Sequence, residues 1–281
     1  RSGRVTGVQT CALPISDMRM FRGILAVTAV LLVASGAAAI DQAGTLSGVG
    51  PASVDQSTLY EQLADYTGSI GTAQDFEAAY DAYDSEAADD FIVTYVDGWL
   101  VEQVGIIAGY WNGPGPADSI DVAFHADASG MPGSAIAGCS FPNNSYVDDG
   151  AGNFLMDLTG GPCYLPAGSY WVVIQGNLDF ATGGQFGYGY NGVQAGNGGM
   201  WRNPGDGFAS GCTSWAPVAT CIDGGPDYCF GLYGEEAPPG ATPTPPPVVS
   251  SEPVPAMNRY GIVIMVALLI GVAILVMWRR N

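Results

Sequence analysis

The chain has 281 residues, of which 27 are Asp or Glu and 8 are Arg, and its formal net charge at pH 7 is −19. Between Ile40 and Val254, Arg202 is the only Lys or Arg, so this long central region is almost entirely anionic. Such a surface repels phosphate backbones, which argues against nucleic acid as a partner.

The first residues differ from the rest of the chain. Residues 1–16 contain the string RVTGVQTCALPI, which resembles a translated sequencing adapter. We therefore leave residues 1–17 out of the fold, as an artefact. A genuine N-terminal extension is the alternative.

Residues 18–39 have the pattern of a signal peptide. Arg19 and Arg22 precede an apolar run, Gly23–Val33, that is short for a membrane span. Small residues at Ala37–Ala39 favour cleavage after Ala39, and an uncleaved N-terminal anchor is the weaker alternative.

Residues 40–78 are predicted to be an N-terminal leader with one short helix. Thr58 and Glu61 fit a capping box, and apolar residues follow at helical spacing, which predicts a helix within Gln56–Tyr66.

Residues 79–234 alternate short apolar runs with Gly- and Pro-rich turns, which predicts a mainly β fold. Asp97-Gly98 is typical of a hairpin turn. The clearest predicted strands are Phe91–Val96, Trp99–Trp111, Ile120–Phe124, Gly133–Gly138, Asn153–Leu158, Ser169–Gln175, Phe186–Tyr190 and Tyr228–Tyr233. Many short strands with scarcely any helix indicate an antiparallel β-sandwich that is jelly-roll-like.

Cysteine usage fits an oxidising compartment. We predict disulfides Cys139–Cys163 and Cys212–Cys221, each of which closes a short loop. Cys229 then remains as a free thiol, an intermolecular partner or a competitor for one of these pairs. Zinc binding is the alternative, but no Cys-x-x-Cys spacing is present.

The C-terminal region changes character twice. Residues 235–257 are Pro-rich and predict an extended linker. Within residues 258–281, the uncharged run Tyr260–Trp278 would extend roughly 28 Å as a helix, which is close to the apolar thickness of a bilayer. Arg279 and Arg280 then fix the cytoplasmic end, so the sandwich is expected outside.

This tail resembles the C-terminal sorting signals of bacteria with exosortase-type systems, in the variant named for its Ile-Pro-Thr-Leu motif. The matching positions are Pro255, Tyr260, Gly261, Arg279 and Arg280. Ala256 and Met257 depart from the usual Thr and Leu. The resemblance implies a sorting enzyme as partner, which would cleave near the motif; an ordinary single-pass anchor is the alternative.

The segments Tyr83–Phe91 and Leu165–Val172 resemble parts of jelly-roll modules on bacterial surface proteins. This looser resemblance implies a fold and a location, and no activity.

Little in the sequence points to catalysis. His125 is the only histidine, and no Gly-x-Ser-x-Gly elbow or zinc-protease spacing is present. We name no catalytic residue, and we interpret His125 as a strand histidine.

Two binding sites are conceivable from residue type. Asp84, Glu86, Asp89 and Asp90 crowd one strand entry and suit calcium, although a solvated acidic surface is the simpler interpretation.

Tyr188, Tyr190, Trp201 and Trp215 could form a stacking platform for a polysaccharide. Aromatic residues that alternate with Gly also fill a sandwich core, and we favour that interpretation.

The sequence therefore predicts an exported bacterial protein of the cell surface or extracellular matrix, held at the membrane or released after processing. Its β-sandwich is expected to be non-catalytic and adhesive. A carbohydrate-binding module is the first alternative and a secreted hydrolase the second.

Overall fold

The chain folds into two β-sheets that share one core. The computed structural model describes residues 43–45, as backbone only, and residues 56–242. Helical structure in this part consists of one 3₁₀ turn, Asp81–Tyr83, and two four-residue helices, α1 (Phe180–Gly183) and α2 (Val218–Cys221). All strand pairs but one are antiparallel. The prediction of a mainly β, antiparallel sandwich is therefore confirmed.

In chain order the strands are β1 (Ala43–Thr45), β2 (Ser57–Glu61), β3 (Tyr66–Thr72), β4 (Gln74–Asp75), β5 (Glu86–Val93), β6 (Trp99–Trp111), β7 (Ser119–Asp127), β8 (Pro132–Asn144), β9 (Tyr146–Asp148), β10 (Asn153–Asp157), β11 (Cys163–Leu165), β12 (Gly168–Asn177), β13 (Gln185–Asn191), β14 (Met200–Arg202), β15 (Ala216–Pro217), β16 (Asp227–Tyr228) and β17 (Phe230–Glu236).

The larger sheet is organised around β6. This strand pairs with β10, β11, β13 and β17, and β2 joins the sheet by pairing with β17. The remaining members are β1, β3, β9 and β16. The prediction of one long strand over Trp99–Trp111 is confirmed at both ends.

The smaller sheet has the order β15-β14-β5-β12-β7-β8, and β4 adds to β12 in parallel. On β7 the side chains of Ile120, Val122 and Phe124 are buried, while those between them are partly exposed. Strand β7 therefore confirms the predicted strand Ile120–Phe124, and it turns these apolar side chains toward the other sheet.

Strand β13 fills much of the core. Phe186, Tyr188 and Tyr190 are buried between the sheets, and glycine separates them. A Cβ atom at Gly187 would lie 2.6 Å from a ring atom of Trp111, so a larger residue would not fit there. The alternation of aromatic residues and glycine is therefore a packing pattern.

The predicted helix within Gln56–Tyr66 is wrong. Ser57–Glu61 forms β2, which pairs with β17 and stacks Tyr60 on Phe230 at 5.2 Å between ring centroids. Backbone pairing and ring burial outweigh the local helical preference. Because β2, β3 and β4 belong to the sheets, the sandwich begins well before residue 79.

The turn at Asp97-Gly98 exists, but it does not form a hairpin. Gly98 has φ +90°, and its N–H donates to the carbonyl of Tyr95 at 3.0 Å. The turn joins β5 of the smaller sheet to β6 of the larger one. Phe91 and Trp99 then stack across the interior at 6.3 Å, which favours this crossing over local pairing.

Both predicted disulfides are present. Cys139–Cys163 connects β8 of the smaller sheet to β11 of the larger one, so it links the two sheets covalently. Cys212–Cys221 closes the loop between β14 and α2. Cys229 is a buried free thiol.

Several predictions fall outside the described residues: the adapter-like segment, the signal peptide, the sorting motif and the C-terminal helix. Residues 235 and 236, predicted to begin the linker, are instead the end of β17. Within residues 56–242, no helix has the length and apolar character needed to span a membrane.

Candidate functional site

The predicted aromatic platform is not on the surface. Tyr188, Tyr190 and Trp201 are buried, and the Trp201 indole N–H donates to the Thr72 carbonyl at 2.8 Å. These three rings fill the core, which is the interpretation favoured from the sequence, because the strands that carry them turn this face toward the opposite sheet.

Trp215 is the one predicted ring that reaches the exterior, on the outer face of the smaller sheet. It packs against a small cluster that contains Ala88 and Trp171. The Arg202 guanidinium lies 4.5 Å from the Trp215 ring centroid, and the His125 ring meets it edge-on at 6.4 Å. Trp215 is thus already engaged by the fold.

The predicted calcium ligands are dispersed. Asp84 accepts from the Phe76 N–H at 2.9 Å, and Glu86 forms an ion pair with Arg202. Asp89 and Asp90 point to opposite sides of β5, because successive strand residues alternate. In the described part of the chain, no three His, Cys, Asp or Glu residues are arranged to hold a metal ion, so these four side chains do not form a shared site.

His125 lies half-buried on β7, as expected for a strand histidine. Its Nδ1 lies 2.9 Å from the Gly133 carbonyl oxygen, and burial lowers the pKa of the imidazole. These contacts make His125 part of the packing on the outer face of the smaller sheet.

One open depression lies on the outer face of the smaller sheet. This outer-face groove has a volume of about 200 Å³ and is lined by residues of β5, β7, β8 and β12. Its polar side chains bind within the fold: Asp121 accepts from the Asn143 N–H at 2.6 Å, and Gln175 donates to the Ser85 carbonyl at 3.2 Å. Few polar groups are left to recognise a ligand.

A second depression, the edge cleft, lies where the two sheets meet along one side of the sandwich, and its volume is about 250 Å³. The residues that line it are Leu59, Tyr60, Asp90, Phe91, Ile92, Thr94, Trp99, Ala195 and Gly196. β2 contributes Leu59 and Tyr60, and β5 contributes Asp90, Phe91 and Ile92. Its floor is aromatic, because Tyr60 contacts Phe91 at 6.1 Å and Phe91 stacks on Trp99.

A polar network lies behind this floor. Gln62 donates from Nε2 to Asp89 Oδ2 and to the Tyr228 carbonyl, each at 2.7 Å, and accepts the Tyr60 hydroxyl at 2.5 Å. Asp89 also accepts the N–H groups of Tyr228 and Asp90 at 2.6 and 2.8 Å. These bonds hold β2, β5 and β16 together at the cleft.

Two further carboxylates fix the loop on the other side of the cleft. Asp90 accepts the backbone N–H and the side-chain amide of Asn197, each at 2.9 Å. Asp227 accepts the N–H groups of Ala195 and Gly199 at 2.5 and 3.0 Å. The cleft therefore has fixed walls.

The acids around the cleft, Asp89, Asp90 and Asp227, are buried. Burial, followed by the charge of Asp227, raises the pKa of Asp89 well above its usual range, and burial raises the pKa of Asp227 to about 6. Burial and the charges of Asp89 and Asp90 raise the pKa of Tyr60 to about 12. A raised pKa favours the uncharged form of a carboxyl group, so these buried acids give the cleft less negative charge than their number suggests.

Sequence reasoning missed this cleft, because it placed Leu59 and Tyr60 on a helix. The available signal was the apolar run Phe91–Val93, which predicts a strand at this place. The sequence contains no signal for the partner of that strand.

No protein-family model, no curated protein and no solved structure matches this chain.

Proposed function

We propose that this chain is an exported bacterial surface protein whose jelly-roll-like sandwich is a non-catalytic, adhesive or structural module. The Pro-rich segment that follows β17 spaces the module from a C-terminal membrane helix. After processing near Pro255, the module would instead join the extracellular matrix.

The observation that carries this proposal is the pair of disulfides. Cys139–Cys163 ties the two sheets together, and Cys212–Cys221 holds the loop that carries Trp215. Disulfides of this kind persist in oxidising compartments. The strongly acidic surface, on which Arg202 is the only Arg or Lys of residues 56–242, suits an exposed position in salty surroundings.

The alternatives have less support. A polysaccharide site would rest on Trp215 alone, and Arg202 already lies over this ring. A hydrolase would need free paired carboxylates, whereas Glu86 and Asp121 in the outer-face groove are both engaged.

Fractionation of cells that express the full chain tests the proposal. We expect the protein in the membrane fraction, with the sandwich degraded by protease added to spheroplasts. A variant that lacks residues 258–281 should appear in the soluble exported fraction. Full-length protein that stays in the cytoplasm, or that is protected from external protease, would contradict the proposal.

A further inference from the structure

Eight residues between β13 and β14, numbered 192–199, form a strap without helix or strand at the edge cleft. Four of the eight are glycine. None of them belongs to the hydrophobic core of the described residues. A segment with so few apolar contacts can open locally at a much lower free energy than the whole sandwich needs to unfold. Polar contacts therefore decide whether the strap is closed.

The polar contacts in the middle of the strap go to two carboxyl groups. Backbone bonds tie the strap to the sandwich at each end. Between the ends, the Ala195 N–H donates to Asp227 at 2.5 Å. Asn197 donates its N–H and its side-chain amide to Asp90, each at 2.9 Å. No other hydrogen bond joins residues 194–198 to another segment of the described chain, so these two acids hold the strap down.

The acids beneath the strap have no basic partner. Asp90 and Asp227 are 4% and 0% exposed, and the adjacent Asp89 is also fully buried. Arg202, the only Arg or Lys of residues 56–242, is paired with Glu86. A buried carboxyl group that ionises without a neighbouring cation is strongly disfavoured. Exposure to water through opening of the strap would relieve this penalty.

The other titratable groups near these acids add no positive charge. They are Tyr60, Asp65, Asp127, Tyr188, Tyr228 and Cys229. Burial raises the pKa values of Tyr60 and Cys229 to about 12, and those of the two other tyrosines well above their usual range. Asp65 and Asp127 are exposed carboxyl groups, and His125 packs against Trp215 instead.

Two effects of ionisation oppose each other at the strap. N–H groups bind a carboxylate more strongly than a neutral carboxyl group, which favours the closed strap at neutral pH. Burial favours the neutral form, and therefore favours opening once the acids ionise. Burial is the larger effect at Asp227, because it raises the pKa of this group to about 6 in spite of two N–H donors. The closed strap is thus favoured below about pH 6 and loses stability above it.

We propose that residues 192–199 form a pH-sensitive strap, which closes one side of the edge cleft in acidic surroundings and opens it in neutral surroundings. Ala195 and Gly196 line the cleft, so opening removes one wall and extends the cleft toward Asp90. The hydrogen bonds to Asp90 and Asp227 fix this wall only while the strap is closed. The proposal does not depend on export or on the membrane tail.

Amide hydrogen exchange of the full chain in detergent micelles, measured by NMR at pH 5 and pH 7.5, tests the proposal. Each rate is expressed as a protection factor relative to an unstructured chain at the same pH, which removes the intrinsic effect of pH. We expect the Ala195 and Asn197 amides to be at least about tenfold less protected than the Val172 amide in the centre of β12. Their protection should fall by about fivefold from pH 5 to pH 7.5.

A pair of matched variants assigns this fall to the buried acid. Asp227→Asn should reduce the fall to about twofold, because Asp90 still ionises. Asp149→Asn is the control, since Asp149 also accepts backbone N–H groups, in the loop between β9 and β10, and it should leave the fall unchanged. Circular dichroism confirms that both variants are folded.

A second pair changes only exposed residues of the strap. Asn197→Asp places another carboxylate against Asp90, so it should lower the protection of the Ala195 amide by about tenfold at pH 7.5 and by less at pH 5. Gln194→Glu adds the same charge where the side chain bonds only within the strap, and it should change this protection by less than about threefold.

Three results would each overturn the proposal: strap amides as strongly protected as Val172, protection that is constant or rises with pH, or equal effects of Asn197→Asp and Gln194→Glu. An undiminished fall in folded Asp227→Asn would also overturn it, because the strap would then not respond to this acid.

Discussion

The disulfide Cys139–Cys163 should contribute more stability than any other single covalent feature of the sandwich. Its removal by the double substitution Cys139→Ala and Cys163→Ala leaves two small apolar residues at buried positions. The two cysteines are separated by 24 positions in the sequence, and the bond also joins the two sheets. The variant therefore tests whether the sheets stay together through packing alone.

The magnitude follows from chain entropy. Closing a loop with a separation of 24 positions corresponds to about 3.5 kcal/mol at 25 °C. The smaller loop, with a separation of 9, corresponds to about 2.7 kcal/mol. For a domain of this size, 3.5 kcal/mol lowers the melting temperature by roughly 7–14 °C.

Guanidinium unfolding followed by tryptophan fluorescence measures the loss, with the Cys212→Ala and Cys221→Ala double variant as the matched control. We expect the larger loss for the inter-sheet pair. A loss below about 1 kcal/mol, or a larger loss for the control variant, would refute the reasoning that the inter-sheet link restricts the unfolded chain more strongly.

Two further outcomes can be measured on the same protein. Because burial raises the pKa of Asp227 to about 6, the folded state holds a proton that the unfolded state has lost between about pH 4 and pH 6, so the free energy of unfolding should fall by about 1 kcal/mol from pH 5 to pH 7.5. Asp227→Asn should remove part of this fall, because burial also raises the pKa values of Asp84 and Asp89, and an unchanged profile would contradict the assignment to Asp227. Gly187→Ala should cost about 1–3 kcal/mol, because its Cβ would lie against the ring of Trp111, whereas Gly192→Ala has room and should cost less than about 1 kcal/mol in the same denaturation assay. Equal losses would show that the contact with Trp111 is not the cause.

Local patterns predicted much of the sandwich correctly. The apolar alternation at Ile120, Val122 and Phe124 indicates both the strand and its buried face, and the long, mostly apolar run Trp99–Trp111 predicts the central strand. Short sequence separations gave both disulfides. In each case a few neighbouring residues carry the information, because side-chain alternation and loop closure are local properties.

The errors arose where a long-range partner decides the structure. Gln56–Tyr66 has helical spacing, but β17, far along the chain, recruits Ser57–Glu61 as a strand. Asp97-Gly98 specifies a tight turn, yet nothing local specifies that the next strand belongs to the other sheet.

The candidate site was the least accessible part of the structure to sequence reasoning. Acidic residues that are adjacent in sequence, such as Asp89 and Asp90, are separated by strand alternation, so a local cluster of acids did not become a metal site. The edge cleft exists because β14 stops pairing with β5 partway along that strand. Its position therefore depends on how distant segments of the chain pair, which no local pattern specifies. Only the structure brings Tyr60, Ile92 and Trp99 to one surface.

The central claim is that the chain is exported and folds with two disulfides. Intact mass after thiol blocking tests it most directly, first on the native protein and then on the denatured, unreduced protein. We expect a chain that begins at Ile40, no label in the native state, and a single label at Cys229 after denaturation, since the Cys229 thiol is buried and burial raises its pKa to about 12. A mass that retains residues 18–39, together with labelling of every cysteine, would contradict the claim.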